Sequence, residues 1–598
     1  MDILTGLLRK AVGLGGRRCD RCLTLLTLAG LLANLIAAGQ GIGPETTAVA
    51  SFPSDPGERS RIDQALPARA AVPAQRPRRL LIFDRNVGYG GHPSAKHANY
   101  AFTRMGEKTG AFATVIRQDP QVFRAESLRR FDAVFFNNTV GNLFEDPALR
   151  QSLVEFVYAG GGLLGVHGTS VAFTKWPGAI EDWPEFGILL GARGANHRAS
   201  DEHVFIKPDD PDHPLLRPFG GQGLDYRDEF FRVHEPYSRS RVRVLWSIDT
   251  AKTDLNQGPA YGQLVRPDND YALAWVRGYG RGRVFYCTVA HNPYVFWDPK
   301  MLEFYLGAIQ FALGDLMAPT TPSAKLTPAI RAQEQLGWRL GFNAAATSPG
   351  MLFEAIDQAA GLGVLYLGAS DLQKVSREIP KLFGAELGDE ELRAVRLKLD
   401  SAGVRLLTWR LHEVPHDAAG WRQLFEFGRK MGIEALVAEA PPALWEGVDQ
   451  LCHEYRVNLA LDAHAGPGNR RPGVEEILKV CRKHSECIGI HADLGEWLRN
   501  GVDPVETIRN VGARLITLEI HDVNRVDGEG REVPWGTGVG RIEPVLRELE
   551  RQGNRLTMLG FPDVPRGFLP AAEWAECSRF YDTLSLKLAQ EQHGRPRK

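Results

Sequence analysis

The chain has 598 residues, which at roughly 100 to 200 residues per domain is enough for about two to four domains. Its 71 Lys and Arg residues nearly balance 72 Asp and Glu residues, so the formal net charge is -1 and the chain has no long-range attraction for a phosphate backbone. We therefore expect no nucleic-acid partner. Hydrophobic residues make up 43% of the chain and charged residues 24%, which indicates a folded globular protein and excludes a disordered or multi-span membrane protein.

The first fifty residues differ in composition from the rest. Basic residues occur up to Arg21, and the uncharged run Leu23–Ala38 follows them. This run is shorter than the about 20 apolar residues that span a bilayer. Small residues in an A-x-A pattern precede Ser51, as at a signal cleavage site. We predict that residues 1–50 are a signal peptide for export to the periplasm or the cell exterior, with an uncleaved membrane anchor as the alternative.

An intact-mass measurement of the native protein tests this export. We expect the mature chain to start near Ser51 or Gly39, because small residues precede both positions. A full-length cytoplasmic chain would refute the prediction.

Two stretches of biased composition divide the remaining chain, and the first of them is rich in Pro, Ala and Arg. Residues 51–78 show no hydrophobic periodicity and are predicted to be a disordered linker. Residues 317–334, which include APTTPSAKLT, are predicted to be a second linker. The linkers leave one domain at residues 79–316 and another at residues 335–590.

Strand-like and helical segments alternate in the first of these domains. The apolar strand at 79–84 precedes the helical stretch Lys96–Thr109, and the strand Phe131–Asn137 precedes the amphipathic stretch Pro147–Tyr158. A further apolar run ends at His167. This alternation predicts an α/β fold with a doubly wound parallel sheet, whose sites lie at the carboxyl ends of the strands.

Several motifs in this domain resemble, in order, the trehalose-utilisation (ThuA-like) family; they are NNTVGNL, FVYAGGGLLGVHGTS, KWP, RDEFF, YGRGRVFYCTVAHNP and FYLGAIQFALGD. The resemblance covers residues 79–316 and implies a flavodoxin-like or glutamine-amidotransferase-like fold. In the class I amidotransferases the turn from strand to helix carries a nucleophilic cysteine. Here that turn reads GVHGT, with His167 at the nucleophile position. We therefore exclude thiol acyl transfer at this site.

Histidine at a polar strand end suits a general base or a metal ligand, because its ordinary pKa lies near neutrality. The candidate catalytic residues of this domain lie in different loops and are His92, His167, Asp228, Glu229 and His291, with His197 as a further candidate. Their spacing is dispersed and does not follow the zinc motif H-E-x-x-H. A shared polar pocket, a zinc-like metal site and separately hydrogen-bonded structural histidines are the three possibilities.

Eight apolar strand-like runs separated by helical stretches occupy the second domain; they are Trp338–Phe342, Val364–Leu367, Val404–Trp409, Ala435–Ala438, Val457–Leu461, Ile488–Ile490, Leu515–Ile520 and Leu556–Leu559. Their number and rhythm predict a (β/α)8 TIM barrel with its functional residues at the carboxyl ends of the strands. Polar residues at those ends are Glu439, Asp462, His464, Asp493, Glu519, His521 and Asp522. Trp535, in a glycine-flanked loop, is the aromatic side chain expected to stack on a sugar.

The segments AEAP, LDAHAGPGN, IGIHADLGEW, LEIHDVN and VPWGTG resemble the xylose-isomerase-like barrels of sugar isomerases and epimerases. In the isomerase branch, Glu, Asp, His and Glu from strands four, six, seven and eight hold a divalent metal that polarises sugar oxygens while carboxylates move the proton. Glu439 matches the ligand of strand four and Asp493 that of strand six. Glu519 takes the place of the histidine of strand seven, and strand eight has no glutamate.

The resemblance implies a divalent metal, Mn²⁺, Mg²⁺ or Zn²⁺, at Glu439, Asp493 and Glu519, with His464 and His521 as catalytic candidates. Without a cation or a basic side chain the three carboxylates would repel one another. A metal-free barrel is the alternative, because the glutamate of strand eight is missing.

Both resemblances imply carbohydrate chemistry. We predict an exported carbohydrate-active protein that isomerises, epimerises or eliminates a sugar or keto-sugar, as a sugar isomerase/epimerase or a keto-glycoside lyase. Its partner would be a small-molecule carbohydrate, and only the N-terminal signal would contact a membrane. The alternative is a non-catalytic sugar-binding or scaffold protein, since the cysteine of the turn and the glutamate of strand eight are both missing.

Overall fold

The computed structural model describes residues 51–261, 264–343, 350–463, 473–561 and 571–593. The predicted signal peptide at 1–50 and the catalytic candidate His464 lie outside these ranges, and export stays a prediction. Within them, no helix combines the length and the apolar character needed to cross a membrane.

A mixed sheet forms the framework of the first domain. The strands of this domain are β1 (Arg79–Phe83), β2 (Ala113–Arg117), β3 (Ala133–Asn137), β4 (Gly162–Val166), β5 (Thr174–Lys175), β6 (Ile180–Glu181), β7 (Arg193–Arg198), β8 (Glu202–Pro208), β9 (Leu224–Asp228), β10 (Arg232–His234), β11 (Arg243–Ile248), β12 (Ala260–Tyr261), β13 (Ala272–Tyr279) and β14 (Gly282–Cys287). Nine of them form the sheet in the order β2-β1-β3-β4-β14-β13-β11-β8-β9.

The strands from β2 to β14 in this order are parallel, and the pairs from β14 to β9 are antiparallel. The parallel core confirms the predicted α/β fold. The sequence did not predict the antiparallel extension, which begins where a tight turn at Gly280 (φ 58°) joins β13 to β14. A turn this short can only return the chain antiparallel to itself.

Helices cover both faces of this sheet; they are α1 (Pro56–Ala65), α2 (Ala95–Thr109), α3 (Ala125–Leu128), α4 (Pro147–Tyr158), α5 (Pro184–Leu190) and α6 (Pro299–Leu313). Successive residues of β1 point to opposite faces. Leu80 and Ile82 pack in one apolar core with α2 and α6, and Leu81 and Phe83 pack in the other with α4 and α5. Because both faces are buried, the strand is apolar from Leu80 to Phe83, after the exposed Arg79.

The disordered linker predicted at 51–78 is wrong for much of its length. Helix α1 lies within it, and Ile62 and Leu66 are buried in the core of the first domain. The linker predicted at 317–334 likewise contains most of helix α7 (Pro328–Leu336), which begins at the N-cap Thr327 and belongs to the core of the second domain. Helix α1 itself buries only Ile62, so its hydrophobic periodicity is weak. Helix α7 buries Ala329, Ala332 and Leu336 at helical spacing, a pattern that the prediction of a linker did not take into account.

The second domain is a closed barrel of eight parallel strands, which confirms the predicted TIM barrel. In chain order the strands are β15 (Leu340–Asn343), β16 (Tyr366–Ser370), β17 (Arg405–Arg410), β18 (Ala435–Val437), β19 (Asn458–Asp462), β20 (Ile488–Asp493), β21 (Leu515–Glu519) and β22 (Met558–Phe561). The helices after α7 are α8 (Leu352–Gly361), α9 (Asp389–Ala402), α10 (Ala418–Lys430), α11 (Trp445–Tyr455), α12 (Val474–Cys481), α13 (Leu494–Arg499), α14 (Pro504–Val511), α15 (Ile542–Gln552) and α16 (Ala571–His593).

Candidate functional site

Four polar side chains of the first domain converge at the carboxyl ends of its strands. His92 lies in the loop after β1, His167 directly follows β4, Glu229 directly follows β9, and His291 lies in the loop after β14. One potential ligand atom from each residue lies within 4.8 Å of those from the other three. We call this group the histidine cluster. It gathers four of the five predicted catalytic residues of this domain.

His167 is fixed in the cluster by its backbone and its hydrogen bonds. Its φ is +42°, an uncommon value for a residue with a side chain, and the imidazole is fully buried. Nδ1 lies 3.0 Å from the carbonyl oxygen of Thr288. Since a carbonyl only accepts, Nδ1 carries a proton, and Nε2 lies 3.2 Å from Glu229 Oε1.

The other members of the cluster are held in similar ways. His92 Nδ1 lies 3.3 Å from the carbonyl oxygen of Asn138, and the ring packs against Gly168. A Cβ at Gly168 would meet the His92 ring at 2.5 Å, so the turn needs glycine there. His197 Nδ1 lies 3.3 Å from the second oxygen of Glu229, and His291 Nε2 lies 3.7 Å from it.

The surroundings of His92 and His291 favour neutral imidazoles, and those of Glu229 favour an ionised carboxylate. Burial and the neighbouring His167 and His291 hold the pKa of His92 well below its usual value. Burial and His167 lower the pKa of His291 to about 4. Burial alone would raise the pKa of Glu229, but hydrogen bonds from His167 and His197 lower it overall.

Asp228, which was predicted to be catalytic, is not part of this group. Its carboxylate accepts the backbone N–H of His291 at 3.1 Å and that of Asn292 at 3.0 Å, and it also accepts the Asn292 side-chain amide. Burial raises the pKa of Asp228 to about 8, although these donors act in the opposite direction. The geometry therefore makes Asp228 a positioning residue for the loop that carries His291.

The mouth of the barrel contains a second convergent group, formed by Asp493, Glu519 and His521, whose potential ligand atoms lie within 4.8 Å of one another. Asp493 ends β20 and Glu519 ends β21, and the strand register sets these two residues side by side. His521 Nε2 lies 3.2 Å from Asp493 Oδ1 and 3.9 Å from Glu519 Oε2. We call this group the barrel triad.

Glu439, the predicted metal ligand of strand four, does not join the barrel triad. Strand β18 ends at Val437, and Glu439 is exposed two residues further along the chain. Two of the three predicted ligands therefore come together, and His521, predicted as catalytic, completes the group.

Basic side chains near the barrel triad were not predicted. Arg410, at the end of β17, lies 2.8 Å from Asp462 Oδ2, 3.4 Å from Glu519 Oε1 and 2.7 Å from His491 Nε2. Asn343 donates to Glu519 Oε1 at 2.5 Å. Arg410 and His491 each directly follow a predicted apolar run, so their positions in the sequence could have identified them.

The pKa values at the mouth of the barrel depend on these neighbouring side chains. Burial alone would raise the pKa of Glu519, but His521, His491 and Arg410 lower it to about 2. Burial alone would lower the pKa of His521, but Asp493, Glu519 and Glu532 raise it to about 10. A proton on His521 and the charge of Arg410 therefore stabilise the triad when no ion is bound.

The interior below the triad leaves little room for a ligand. Arg410, His491 and Glu519 line a cavity of about 10 Å³, which is enough for about one water molecule. A ligand larger than a water molecule could therefore reach the triad only from above, at the rim. Residues 344–349, 464–472 and 562–570, which follow β15, β19 and β22 in the sequence, lie outside the described residues.

Trp535, which was expected to stack on a sugar, is a core residue. Its side chain is buried and packs against Phe561, with a distance of 4.9 Å between the ring centroids. The nearby carboxylate of Asp522 accepts backbone N–H groups of Gly536, Gly538 and Gly540 and fixes this loop. Both residues thus stabilise the structure around the mouth.

The folds and the two polar groups together define a mixed α/β domain joined to a sugar-isomerase-like barrel. Residues 79–312 match the family described as ThuA, trehalose utilisation, and residues 374–580 match the family described as xylose isomerase-like TIM barrel. The chain therefore consists of a ThuA domain followed by a xylose isomerase-like TIM barrel.

Several solved structures are similar to parts of the chain. An uncharacterized protein from Parabacteroides distasonis is 20% identical, with 43% of this chain and 99% of that chain covered and a TM-score of 0.33. A xylose isomerase domain protein from Planctomyces limnophilus is 16% identical, with 42% and 99% covered and a TM-score of 0.34. A xylose isomerase-like TIM barrel protein from Mycobacterium smegmatis, in complex with magnesium, is 14% identical, with 42% and 98% covered and a TM-score of 0.35. No curated protein matches the chain.

Proposed function

We propose that the protein is a carbohydrate-active enzyme whose barrel moves a proton at a carbon next to a carbonyl group of a sugar or keto-sugar. The observation that carries this proposal is the convergence of Asp493, Glu519 and His521 at the carboxyl ends of neighbouring barrel strands. In TIM barrels, this end is where active sites form. The match to the xylose isomerase-like family supports the same class of substrate.

The barrel triad fits a divalent cation. His521 Nε2 is buried and, among the described residues, makes no hydrogen bond of good geometry, although two carboxylates lie within 4 Å of it. Two carboxylates and one imidazole suit Mn²⁺ or Mg²⁺. When bound there, such an ion would polarise the hydroxyl and carbonyl oxygens of the sugar.

The side chains around the triad supply the remaining functions. The Asp493 side chain is 31% exposed and that of Glu519 only 5%, so Asp493 is the carboxylate that a sugar at the rim reaches. Asp493 would accept the proton from the carbon beside the carbonyl, and Arg410 would stabilise the negative charge that develops on oxygen. Return of the proton to the neighbouring carbon gives isomerisation, return to the opposite face gives epimerisation, and loss of a β-substituent gives elimination.

Deuterium exchange tests this function. The full chain, loaded with Mn²⁺ and incubated in D₂O with ketoses and 3-keto-glycosides, should introduce deuterium beside the carbonyl carbon, as read by NMR. Asp493→Asn should slow exchange by about 100-fold or more, the scale of a lost general base. The matched control Asp357→Asn removes an exposed carboxylate on α8, which is 64% exposed, and should exchange like wild type.

A sugar-binding protein without catalysis is the second candidate, because Arg410 and a protonated His521 can stabilise Glu519 without a metal. Calorimetric binding of the same sugars, with no deuterium exchange at any Mn²⁺ concentration, would favour this candidate over the enzyme.

A further inference from the structure

The histidine cluster of the ThuA domain takes no part in the function proposed for the barrel. It places three imidazoles and one carboxylate together at the carboxyl ends of four strands. We propose that His92, His167, His291 and Glu229 bind a transition-metal ion of the zinc type, at a site separate from the barrel triad.

The separations between the ligand atoms support this site. Glu229 Oε1 lies 3.2 Å from His167 Nε2, and Glu229 Oε2 lies 3.7 Å from His291 Nε2. Two ligand atoms that share a tetrahedral Zn²⁺ at its usual bond lengths of about 2.0–2.2 Å lie about 3.3 Å apart. The described side chains thus have nearly the spacing that the ion requires.

The surroundings of the cluster orient its ligands as in metal sites. His92 and His167 each direct Nδ1 at a backbone carbonyl oxygen, that of Asn138 and that of Thr288. Such hydrogen bonds fix the tautomer that leaves Nε2 free for a metal, and they hold the ring in position. On the other side of the cluster, His197 holds the carboxylate of Glu229.

The ligand types distinguish this site from the barrel triad. Three imidazoles and one carboxylate favour zinc and the late first-row metals, whereas two carboxylates and one imidazole favour Mn²⁺ or Mg²⁺. One chain would therefore have two metal sites that prefer different ions.

The cluster can also be reached from solvent. Tyr89 and His92 line an open groove of about 630 Å³, together with the polar residues Asp84, Asn86, Lys96 and Gln118. His291 is only partly buried. The groove is polar and large enough to bring a sugar-sized molecule to the edge of the site, which fits a site that receives substrate oxygen atoms.

Metal analysis of the full chain tests the proposal. The protein is stripped with a chelator, incubated with Zn²⁺, gel-filtered and analysed for bound zinc, and Co²⁺ is used in parallel for its d–d absorption. Wild type should retain about one zinc per chain with high affinity. Glu229→Gln and His291→Gln should each weaken zinc binding by more than the about 100-fold that loss of an outer-shell partner costs. His203→Gln, which changes a part-exposed histidine of β8 outside the cluster, is the matched control and should bind like wild type.

The barrel variant Glu519→Gln separates this proposal from the function of the barrel, because it should retain zinc at the level of wild type. Circular dichroism of the stripped variants shows whether each one is folded before metal is added. Wild type that binds no zinc, folded Glu229→Gln and His291→Gln that bind zinc like wild type, or loss of zinc in Glu519→Gln would each overturn the proposal.

Discussion

Asp400→Asn is expected to destabilise the protein by about 3 to 5 kcal/mol, the usual cost of removing one partner of a buried ion pair. Asp400 lies on barrel helix α9, and its side chain is 8% exposed. It forms an ion pair with Arg277 of β13. A second ion pair joins it to Arg241, with 2.9 Å between the guanidinium nitrogen and the carboxylate oxygen. Arg277 is 2% exposed, and its other hydrogen bonds go to the carbonyl oxygens of Ile188 and Gly278. The substitution therefore leaves a buried guanidinium without its counter-charge.

The same substitution should also weaken the contact between the two domains, because Arg277 belongs to the ThuA domain and Asp400 to the barrel. Scanning calorimetry should show a lower Tm and a transition that divides into two parts. Asp357→Asn is the control, since its partner Lys398 is at the surface and such pairs contribute little. A Tm within about 1 °C of wild type for Asp400→Asn would show that solvent already screens the pair.

The barrel was predictable because each of its strands is an apolar run that ends in polar residues. This pattern also located Asp493, Glu519 and His521, since the carboxyl ends of parallel barrel strands meet at one rim. Glu439 was misplaced because the sequence did not show that β18 stops at Val437. The predicted run ended at Ala438, one residue beyond the end of β18, and Glu439 is exposed.

The histidine cluster was only partly predictable from sequence. Asp228 and Glu229 are neighbours and look equivalent, but the strand ends at Asp228 and only Glu229 reaches the imidazoles. Arg410 and His491 were missed because metal-ligand patterns do not indicate which other side chains stabilise a group of carboxylates. Residues from distant parts of the chain meet here through the order of strands in the sheet, and local patterns do not contain that order.

Glu519→Gln should abolish both turnover and stabilisation by Mn²⁺. Glu519 supplies one of the two carboxylates of the barrel triad, so its loss removes a ligand of the ion that would polarise the substrate. In wild type, Mn²⁺ at about 100 times its Kd should raise stability by about 2.7 kcal/mol, and this gain should vanish in the variant. Thermal melts with and without Mn²⁺ measure the effect. Glu486→Gln, at an exposed position before β20, is the matched control.

The pH dependence gives this prediction its sharpest test. The pKa of His521 in the folded, metal-free protein is about 10, above its ordinary value of 6.5, because Asp493, Glu519 and Glu532 outweigh the effect of burial. The proton therefore stabilises the folded state fully below pH 6.5, and this contribution is lost as the pH rises through about 10.

The same proton competes with Mn²⁺ for Nε2, so the Mn²⁺-induced rise in Tm should increase with pH from 6.5 to 10. Glu519→Gln removes one of the negative charges that raise the pKa of His521. Without metal, this variant should therefore start to lose stability at a lower pH than wild type. A rise in Tm with Mn²⁺ that does not depend on pH, or that persists in Glu519→Gln, would place the ion away from His521 and Glu519. Arg410 and protonated His521 would then be the cations that stabilise the carboxylates at the mouth.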